Sequence, residues 1–536
     1  MLTKPTFRAR WWPAVAVLVV FVLLCAAYEY GRVLHLPPQP HHLWRQTNCL
    51  AIAYTYYAWE WNLFRPAVMS MISDHGMSGR SAGEFPILYY LVGLLWKVTG
   101  PQEIVFRILM LLLHATGTLA LFRSSALVIG DRFWAAFIGL LFFTSPAVVY
   151  FTLAFLPDVP ALDLSFIAWA LLIDGVRCGR ERAILGSAAL FALAGAIKLT
   201  ALMSPLAICA YLVLSRLVDL PGFTSTIPVG ARRAILRSSI VAILAVALWV
   251  GYSYWYNHVH GGEYSHQGTW AYWDLHPDER SKAARFGTTV MPGMLFHWSA
   301  WALFLLCVPL LLLFQRDRGI LVLNGIFLLG TIVFVLLWFV ALDNHDYYFI
   351  VPMITLVVLL VSTIHGLRAR MPRPMSALPV RITLVLFFAV NALYAREDHV
   401  MRTRGPMSVD ALHLLLPHGQ ALEQHYSYMG YWQYEPLLDI RPLMRAHGIR
   451  KDDKVIVLPD ESIGVGPYLV GQRGENSVSL YIIDAPAFHR AIARGAAYLV
   501  LLEVPEEWRP WIGPFLEHPL FEHRGVRVYD LRPLAG

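Results

Sequence analysis

Apolar runs long enough to cross a bilayer recur along the first four hundred residues of this chain, and they leave few choices of fold. A bilayer core takes about 20 apolar residues of helix. Inside it every backbone N–H and C=O must be satisfied within the segment or the protein. Runs approaching or exceeding that length fall at 12–30, 85–99, 104–122, 133–156, 159–176, 183–197, 199–215, 237–257, 295–314, 320–341, 348–366 and 380–395. They predict about eleven or twelve transmembrane helices. Composition agrees: the chain is 57% hydrophobic and only 15% charged, against about 25% charged in soluble domains.

The net charge of +7 does not indicate nucleic acid, because the arginines sit mainly in short loops between spans, where the positive-inside rule puts them. Arg177, Arg180 and Arg182 mark one cytoplasmic loop, and Arg216, Arg232, Arg233 and Arg237 another. Arg316 and Arg318 mark a third, and Arg368, Arg370, Arg373 and Arg381 a fourth. Lys4, Arg8 and Arg10 precede the first run with no A-x-A site after it, the pattern of a retained signal anchor with a cytoplasmic N-terminus. The polar segments 44–86, 157–158, around Lys198, 258–293 and 343–348 then all face outward. One parity conflict remains. Glu84 and Asp158 on the same side require an even number of crossings, yet three apolar segments lie between them. Either the short 85–99 segment is re-entrant or broken, or one cytoplasmic assignment is wrong.

From about residue 396 the character changes, with short apolar runs at 454–458, 478–483, 498–503 and 526–531 and a helix-like stretch at 486–494. The expected fold class is a polytopic α-helical membrane protein with a small C-terminal α/β extracytoplasmic domain. Residues 1–395 form the transmembrane domain, with outer loops 32–84 and 258–293, and residues 396–536 form the soluble domain. The cysteines Cys25, Cys49, Cys178, Cys209 and Cys307 are scattered, mostly within apolar runs, and read as packing residues without a disulfide framework or metal cluster.

Three constellations carry the chemistry. In the first outer loop, Trp44, Arg45, Gln46, Thr47 and Asn48 open an amphipathic stretch over 46–64, with Trp59, Trp61 and Phe64 as headgroup-level anchors. Arg45 suits a phosphate, helped by backbone N–H groups at the helix start; the plainer reading is a surface anchor with no ligand. Glu84 stands where the chain re-enters the membrane, with Phe85 and Pro86. A carboxylate there is costly unless solvated, paired or functional, and it suits a general base or a divalent-metal ligand as well as an ordinary helix-end acid. Asp74 is a second acid of the same loop. The third constellation is Asp343, Asn344, His345, Asp346, Tyr347 and Tyr348, able to hold a sugar or complete a metal site; a solvated turn with aromatic-belt tyrosines is the alternative. Asp158 lies between two prolines, and Lys198 is isolated in apolar surroundings. Lys198, Arg107 and Arg45 suit a lipid phosphate, although a lysine so placed can simply snorkel.

Taken together, the W-R-Q at 44–46 with a following I-A, E-F-P at 84–86, Arg107, P-D at 157–158, Lys198 and H-D-Y-Y at 345–348 resemble the bacterial membrane glycosyltransferases related to protein O-mannosyltransferases and to the aminoarabinose transferase of lipid A, the GT-C superfamily. The resemblance spans nearly the whole chain and rests on the order of short motifs. It implies transfer of one sugar from a polyprenyl-phosphate donor to a lipid, polysaccharide or protein acceptor at the outer face of the inner membrane, with inversion. It also implies an acid that deprotonates the acceptor hydroxyl and cations that receive the departing phosphate. Arg45, Gln46, Asn48, Arg107, Asp158, Lys198, His345, Asp346, Tyr347 and Tyr348 become the expected substrate contacts, with Glu84 and Asp74 as catalytic acids. A divalent metal would fall to Glu84 and His345. No nucleotide cofactor is expected, since no Walker sequence and no convincing G-x-G-x-x-G occurs. The chain departs from the family at Asn48, where many relatives carry an acid close to R-Q; the base role passes to Glu84 or Asp74, or activity is lost, and Glu84 is favoured. Two rivals stand beside this reading: a transporter or flippase, disfavoured by the lack of an internal repeat, and a non-catalytic carrier-binding subunit.

Overall fold

A computed structural model of the chain describes residues 11–218, 227–262, 269–404, 422, 424–425, 433–477, 482–517 and 519–534. The helices that matter here are α1 (Trp12–Ala27), α2 (Leu43–Ala58), α3 (Ile87–Thr99), α4 (Glu103–Ile129), α5 (Arg132–Leu141), α6 (Pro146–Phe151), α7 (Asp158–Cys178) and α8 (Glu181–Ile197). They continue as α9 (Met203–Leu217), α10 (Val229–His260), α11 (Pro277–Thr289), α12 (Trp298–Phe314), α13 (Arg318–Leu337), α14 (Ile354–Arg370) and α15 (Leu378–Arg404), with α16 (Val465–Val470) and α17 (Ala485–Ala493) near the C-terminus. Local chemistry sets many boundaries. The Asp131 carboxylate accepts from the backbone N–H groups of Phe133 and Trp134 to start α5, and Asp317 caps α13 in the same way. Gly179, at φ 66°, ends α7 in the left-handed conformation.

Seven helical stretches among the described residues are long and apolar enough to cross a bilayer, and four shorter apolar helices accompany them. The chain folds into two compact units: Met1–His35, Arg107–Trp249 and Gly268–Ser427 form the first, and Leu36–Phe106, Val250–Gln267 and Tyr428–Gly536 the second.

In the first unit, charged groups gather at the two ends of the helices. At one end Asp131 pairs with Arg368 at 3.2 Å and Arg381 at 3.6 Å, while Asp174 pairs with Arg123 at 3.0 Å and also with Arg180. At the other end stand Asp158, Lys198, Asp346 and Arg402, all buried. Between the ends the helices bury apolar faces, for example Phe191, Ile208, Leu212 and Ile235 around Ala168. Helix α15 runs past the apolar stretch that ends near 395 and continues to Arg404.

In the second unit a five-stranded sheet of order β2-β1-β3-β5-β4 is built from β1 (Lys454–Leu458), β2 (Gly474–Glu475), β3 (Ala496–Leu501), β4 (Phe521–His523) and β5 (Val526–Asp530). β1 pairs in parallel with β2 and β3, and the β3–β5 and β4–β5 pairs are antiparallel. Ile456, Leu458, Phe488, Leu499, Leu501 and Tyr529 form its core. Three of the expected strands and the helix at 486–494 are present, shifted by at most two residues at any end; the strand expected over 478–483 lies largely outside the described residues. The sheet does not stop at β2. Gly474 donates to the Met69 carbonyl at 3.0 Å and Ser70 forms a parallel bridge with Gly474, so the segment around Met69 covers the sheet edge. Only glycine fits there, because a Cβ on Gly474 would lie 2.3 Å from the Val455 carbonyl oxygen.

Helix α3 has 13 residues, about 20 Å, against a hydrocarbon core of about 30 Å. It runs beside α2 in the same direction, with Gly93 closely facing Tyr56 and the Ala53 carbonyl. Where the two helices start, Arg45 meets Glu84. Where they end, the Lys97 ammonium donates to the Tyr57 carbonyl at 3.0 Å and lies 3.5 Å from the centre of the Trp61 ring. Beyond α3, Glu103 accepts from the Tyr468 hydroxyl at 2.9 Å. Both ends of α3 are thus held within the second unit.

Candidate active site

In the second unit the centre of interest is the start of α2. His42, at φ 56°, turns the chain into the helix. The Gln46 side chain ties this turn down: its Nε2 donates to the carbonyls of Gln39 at 2.9 Å and His41 at 2.8 Å, and its Oε1 accepts from the Gln39 N–H. Gln46 is therefore a structural brace for the residues around Arg45. One side of that brace presents Arg45, whose guanidinium donates to the Glu84 carboxylate, both groups half-buried. Asn48 follows nearly one turn later, also half-buried. The sequence pointed to Arg45 and Glu84 as separate contacts; the fold joins them as an ion pair.

Asp74 is placed differently. It is 3% exposed, and its carboxylate accepts from the backbone N–H groups of Ser78, Gly79 and Arg80 and from the Ser78 hydroxyl. Four donors on one carboxylate fix the turn at 74–80. Of the expected anchors, Trp61 and Phe64 are exposed, whereas Trp59 donates from Nε1 to Asp452 at 2.8 Å and carries the Arg473 guanidinium over its ring. Most faces of α2 are buried, so it is a packed helix with one polar end and not a surface-lying amphipathic one.

In the first unit two buried groups face each other through aromatic rings. Lys198, at the break between α8 and the next helical turn, places its ammonium 2.8 Å from the Asp158 carboxylate at the start of α7. The same ammonium lies 4.4 Å from the Tyr348 ring centre and 5.3 Å from that of Tyr347. Tyr347 and Tyr348 stack at 4.7 Å, and Tyr347 meets Phe151 edge-on at 5.6 Å. The second group was not anticipated. Arg402, near the end of α15, is fully buried between Asp346 at 2.6 Å and Asp398 at 2.5 Å, with its guanidinium over the Tyr150 ring. Asp346 is thereby tied to α15, which fixes the 343–348 turn. His345, next in line, sets its Nδ1 3.1 Å from the Asp343 carbonyl, and Lys282 pairs with Asp343 at 2.6 Å.

Arg107 is wholly buried in α4 and donates to the carbonyls of Leu153 at 3.0 Å and Leu34 at 3.2 Å while lying over the Phe155 ring. Those bonds hold the loop before Asp158. Of the expected residues, then, Arg45 and Glu84 come together in one unit, and Asp158, Lys198, Tyr347 and Tyr348 in the other. The Arg402 signal was present in sequence as R and D spaced four apart, Asp398 and Arg402, a spacing that puts both on one helix face.

No protein-family model and no curated protein matches the sequence. Solved structures do. ArnT from Cupriavidus metallidurans in the apo state superposes with a TM-score of 0.56 at 13% identity, over 98% of this chain and 99% of that one. The arabinofuranosyltransferase AftD from Mycobacteria superposes with a TM-score of 0.52 at 15% identity, over 97% of this chain but only 40% of AftD. Seven helices long and apolar enough to cross a bilayer among the described residues, the small C-terminal α/β region and the end-to-end likeness to ArnT make this chain a polytopic helical membrane protein with a fold similar to that of ArnT.

Proposed function

We propose that this protein is an inverting membrane glycosyltransferase that moves one sugar from a polyprenyl-phosphate carrier to an acceptor hydroxyl at the outer face of the inner membrane. The observation that carries the reading is the end-to-end likeness to ArnT, joined by a pairing of acid and guanidinium at the start of α2. In the proposed step the acceptor oxygen attacks the anomeric carbon from the face opposite the phosphate. The new C–O bond forms as the bond from sugar to phosphate breaks, Glu84 takes the acceptor proton, and the phosphate leaves on its lipid. Arg45 is the counter-ion of Glu84 in the resting protein. A donor phosphate competes for that guanidinium, so donor binding releases Glu84 for its role as base. Asp74 has its four donors already and is assigned to the turn. Lys198, held by Asp158 and flanked by Tyr347 and Tyr348, is assigned to the lipid-linked sugar phosphate, since a cation bordered by aromatic rings suits that headgroup.

A divalent cation belongs to the proposal as a partner, with Glu84 and His345 as its first-expected ligands. Glu84 already meets Arg45 and His345 Nδ1 meets the Asp343 carbonyl, so a cation at Glu84 would have to displace a guanidinium. Positive charge at the Asp131 end supports a cytoplasmic assignment for that end and an outer one for the Asp158 end. The test is reconstitution with radiolabelled polyprenyl-phosphate sugars and lipid, polysaccharide or protein acceptors. Transfer that is lost in Glu84→Gln with the fold intact is the expected result. Full activity in that variant overturns the base assignment, and absence of transfer with every carrier sugar overturns the reaction.

A further inference from the structure

A second polar pair lies deeper in the first unit, where the proposed chemistry does not reach. His114 of α4 and Asp163 of α7 are 3% and 0% exposed, and His114 Nδ1 is 2.9 Å from Asp163 Oδ1. A carboxylate only accepts, so Nδ1–H donates. The imidazole is enclosed by Phe143 at 4.8 Å and Phe21 at 5.6 Å. The helices are shaped for this contact. Gly117, one turn beyond His114, lies against the acid, and a Cβ there would fall 2.3 Å from Asp163 Oδ1. Polar groups in apolar surroundings are expensive and are kept where they do something.

The position of the pair indicates what it does. Arg107, Met110, His114, Thr118 and Leu121 recur on one buried face of α4. That face grips the same stretch of chain twice: Arg107 holds the Leu153 carbonyl before α7, and His114 holds Asp163 within it. Between the two grips stands Asp158, five residues before Asp163, or about 7.5 Å along the helix. We propose that His114 is a positioning residue: through Asp163 it fixes the rotation and depth of α7 and so presents the Asp158 carboxylate to Lys198. This rests on the assignment of Asp158 and Lys198 to the donor, but the geometric claim stands apart from it.

The experiment therefore reads Lys198 directly. Full-length protein in nanodiscs is pulsed with acetic anhydride, and acetylation of Lys198 is followed by mass spectrometry, with Lys282 and Lys451 as internal controls. His114→Phe keeps the ring volume and removes the donor. It is expected to speed Lys198 labelling about tenfold, as for an ion pair loosened by roughly 1.4 kcal/mol, and, where transfer is measurable, to lower kcat more than it raises KM. His114→Asn restores a donor near the Nδ1 position, and Asp163→Asn keeps the acceptor oxygen; both are expected to label like the unaltered protein. If His114→Phe does not fold, Gly117→Ala crowds the acid without removing a polar group and is expected to give the same increase. Unchanged Lys198 labelling in a folded His114→Phe or Gly117→Ala protein overturns the proposal, as does failure of His114→Asn to restore it. An absence of any sugar transfer leaves the labelling outcome decisive, so failure of the reaction assignment is told apart from failure of the positioning role.

Discussion

The Lys198 ammonium sits 2.8 Å from the Asp158 carboxylate with both side chains almost fully withdrawn from solvent. Removing one partner leaves the other charge uncompensated. Lys198→Met is expected to cost about 3–5 kcal/mol and to abolish transfer, whereas Lys198→Met with Asp158→Asn is expected to recover much of the stability without activity. Thermal unfolding in detergent across the double-mutant cycle measures this; additive losses would show that the pair is not coupled.

Arg45 is predicted to act on the donor and on the resting state of Glu84 together. Arg45→Gln should raise the KM for the polyprenyl-phosphate sugar about tenfold or more, the worth of one charge-assisted contact. Arg45→Lys should recover part of it, because lysine keeps the charge and loses the bidentate fork. An unchanged donor KM in Arg45→Gln would remove the phosphate contact from the mechanism.

Arg402 joins α15 to the 343–348 turn through Asp346 and Asp398. Arg402→Met leaves two buried carboxylates facing each other and is expected to destabilise by at least about 3 kcal/mol. Asp398→Asn removes one of them and keeps the Asp346 contact, so its loss should be smaller. Melting temperatures of the two variants in one detergent decide the order.

Asp460, at the end of β1, accepts from the Tyr434 hydroxyl at 2.8 Å, from the Ser462 and Gly466 N–H groups at 2.9 Å, and from Asn476 at 3.0 Å. Burial nevertheless pushes its carboxyl above the usual carboxylate range, outweighing those hydrogen bonds. The folded form then holds its proton more tightly than the unfolded one. The region around the sheet should be most stable at or below the unfolded value of about 3.9 and lose stability as pH rises from there through the folded value. Hydrogen exchange of the β1 amides, corrected for the intrinsic pH dependence, reads this. Asp460→Asn should flatten the profile and cost about 1–3 kcal/mol, because its NH2 group faces donors.

Sequence periodicity revealed the crossings because a bilayer filters by length and apolarity, and those are local properties. The same locality left 85–99 open: a short, mostly apolar helix looks alike whether it packs on lipid or on α2, and its partners, Tyr57 for Lys97 and Tyr468 for Glu103 just beyond it, are set by the fold. The chemistry-bearing residues of the loops were visible one at a time. Their pairing was not, since Arg45 with Glu84 and Asp158 with Lys198 are separated by some forty residues each and joined only by packing. Arg402 escaped notice because the apolar signal of α15 fades near 395, so its last turns read as the start of a soluble tail. Departure of Asn48 from the pattern of relatives had suggested a missing acid; the structure shows Glu84 beside the position where Arg45 waits.

The strand edge shared by Met69, Ser70 and Gly474 has a consequence in time. The ribosome makes the segment around Met69 early and the sheet whose edge it covers last, with more than three hundred residues between Phe106 and Tyr428. At translation speeds of about 5–20 residues per second this is on the order of tens of seconds. Through that interval the stretch between Arg45 and Glu84 stands without the strand edge that Met69 and Ser70 pair with. That stretch therefore settles only when the final segment has been made, and a chain cut short before β2 leaves Met69 and Ser70 without the strand edge that they pair with.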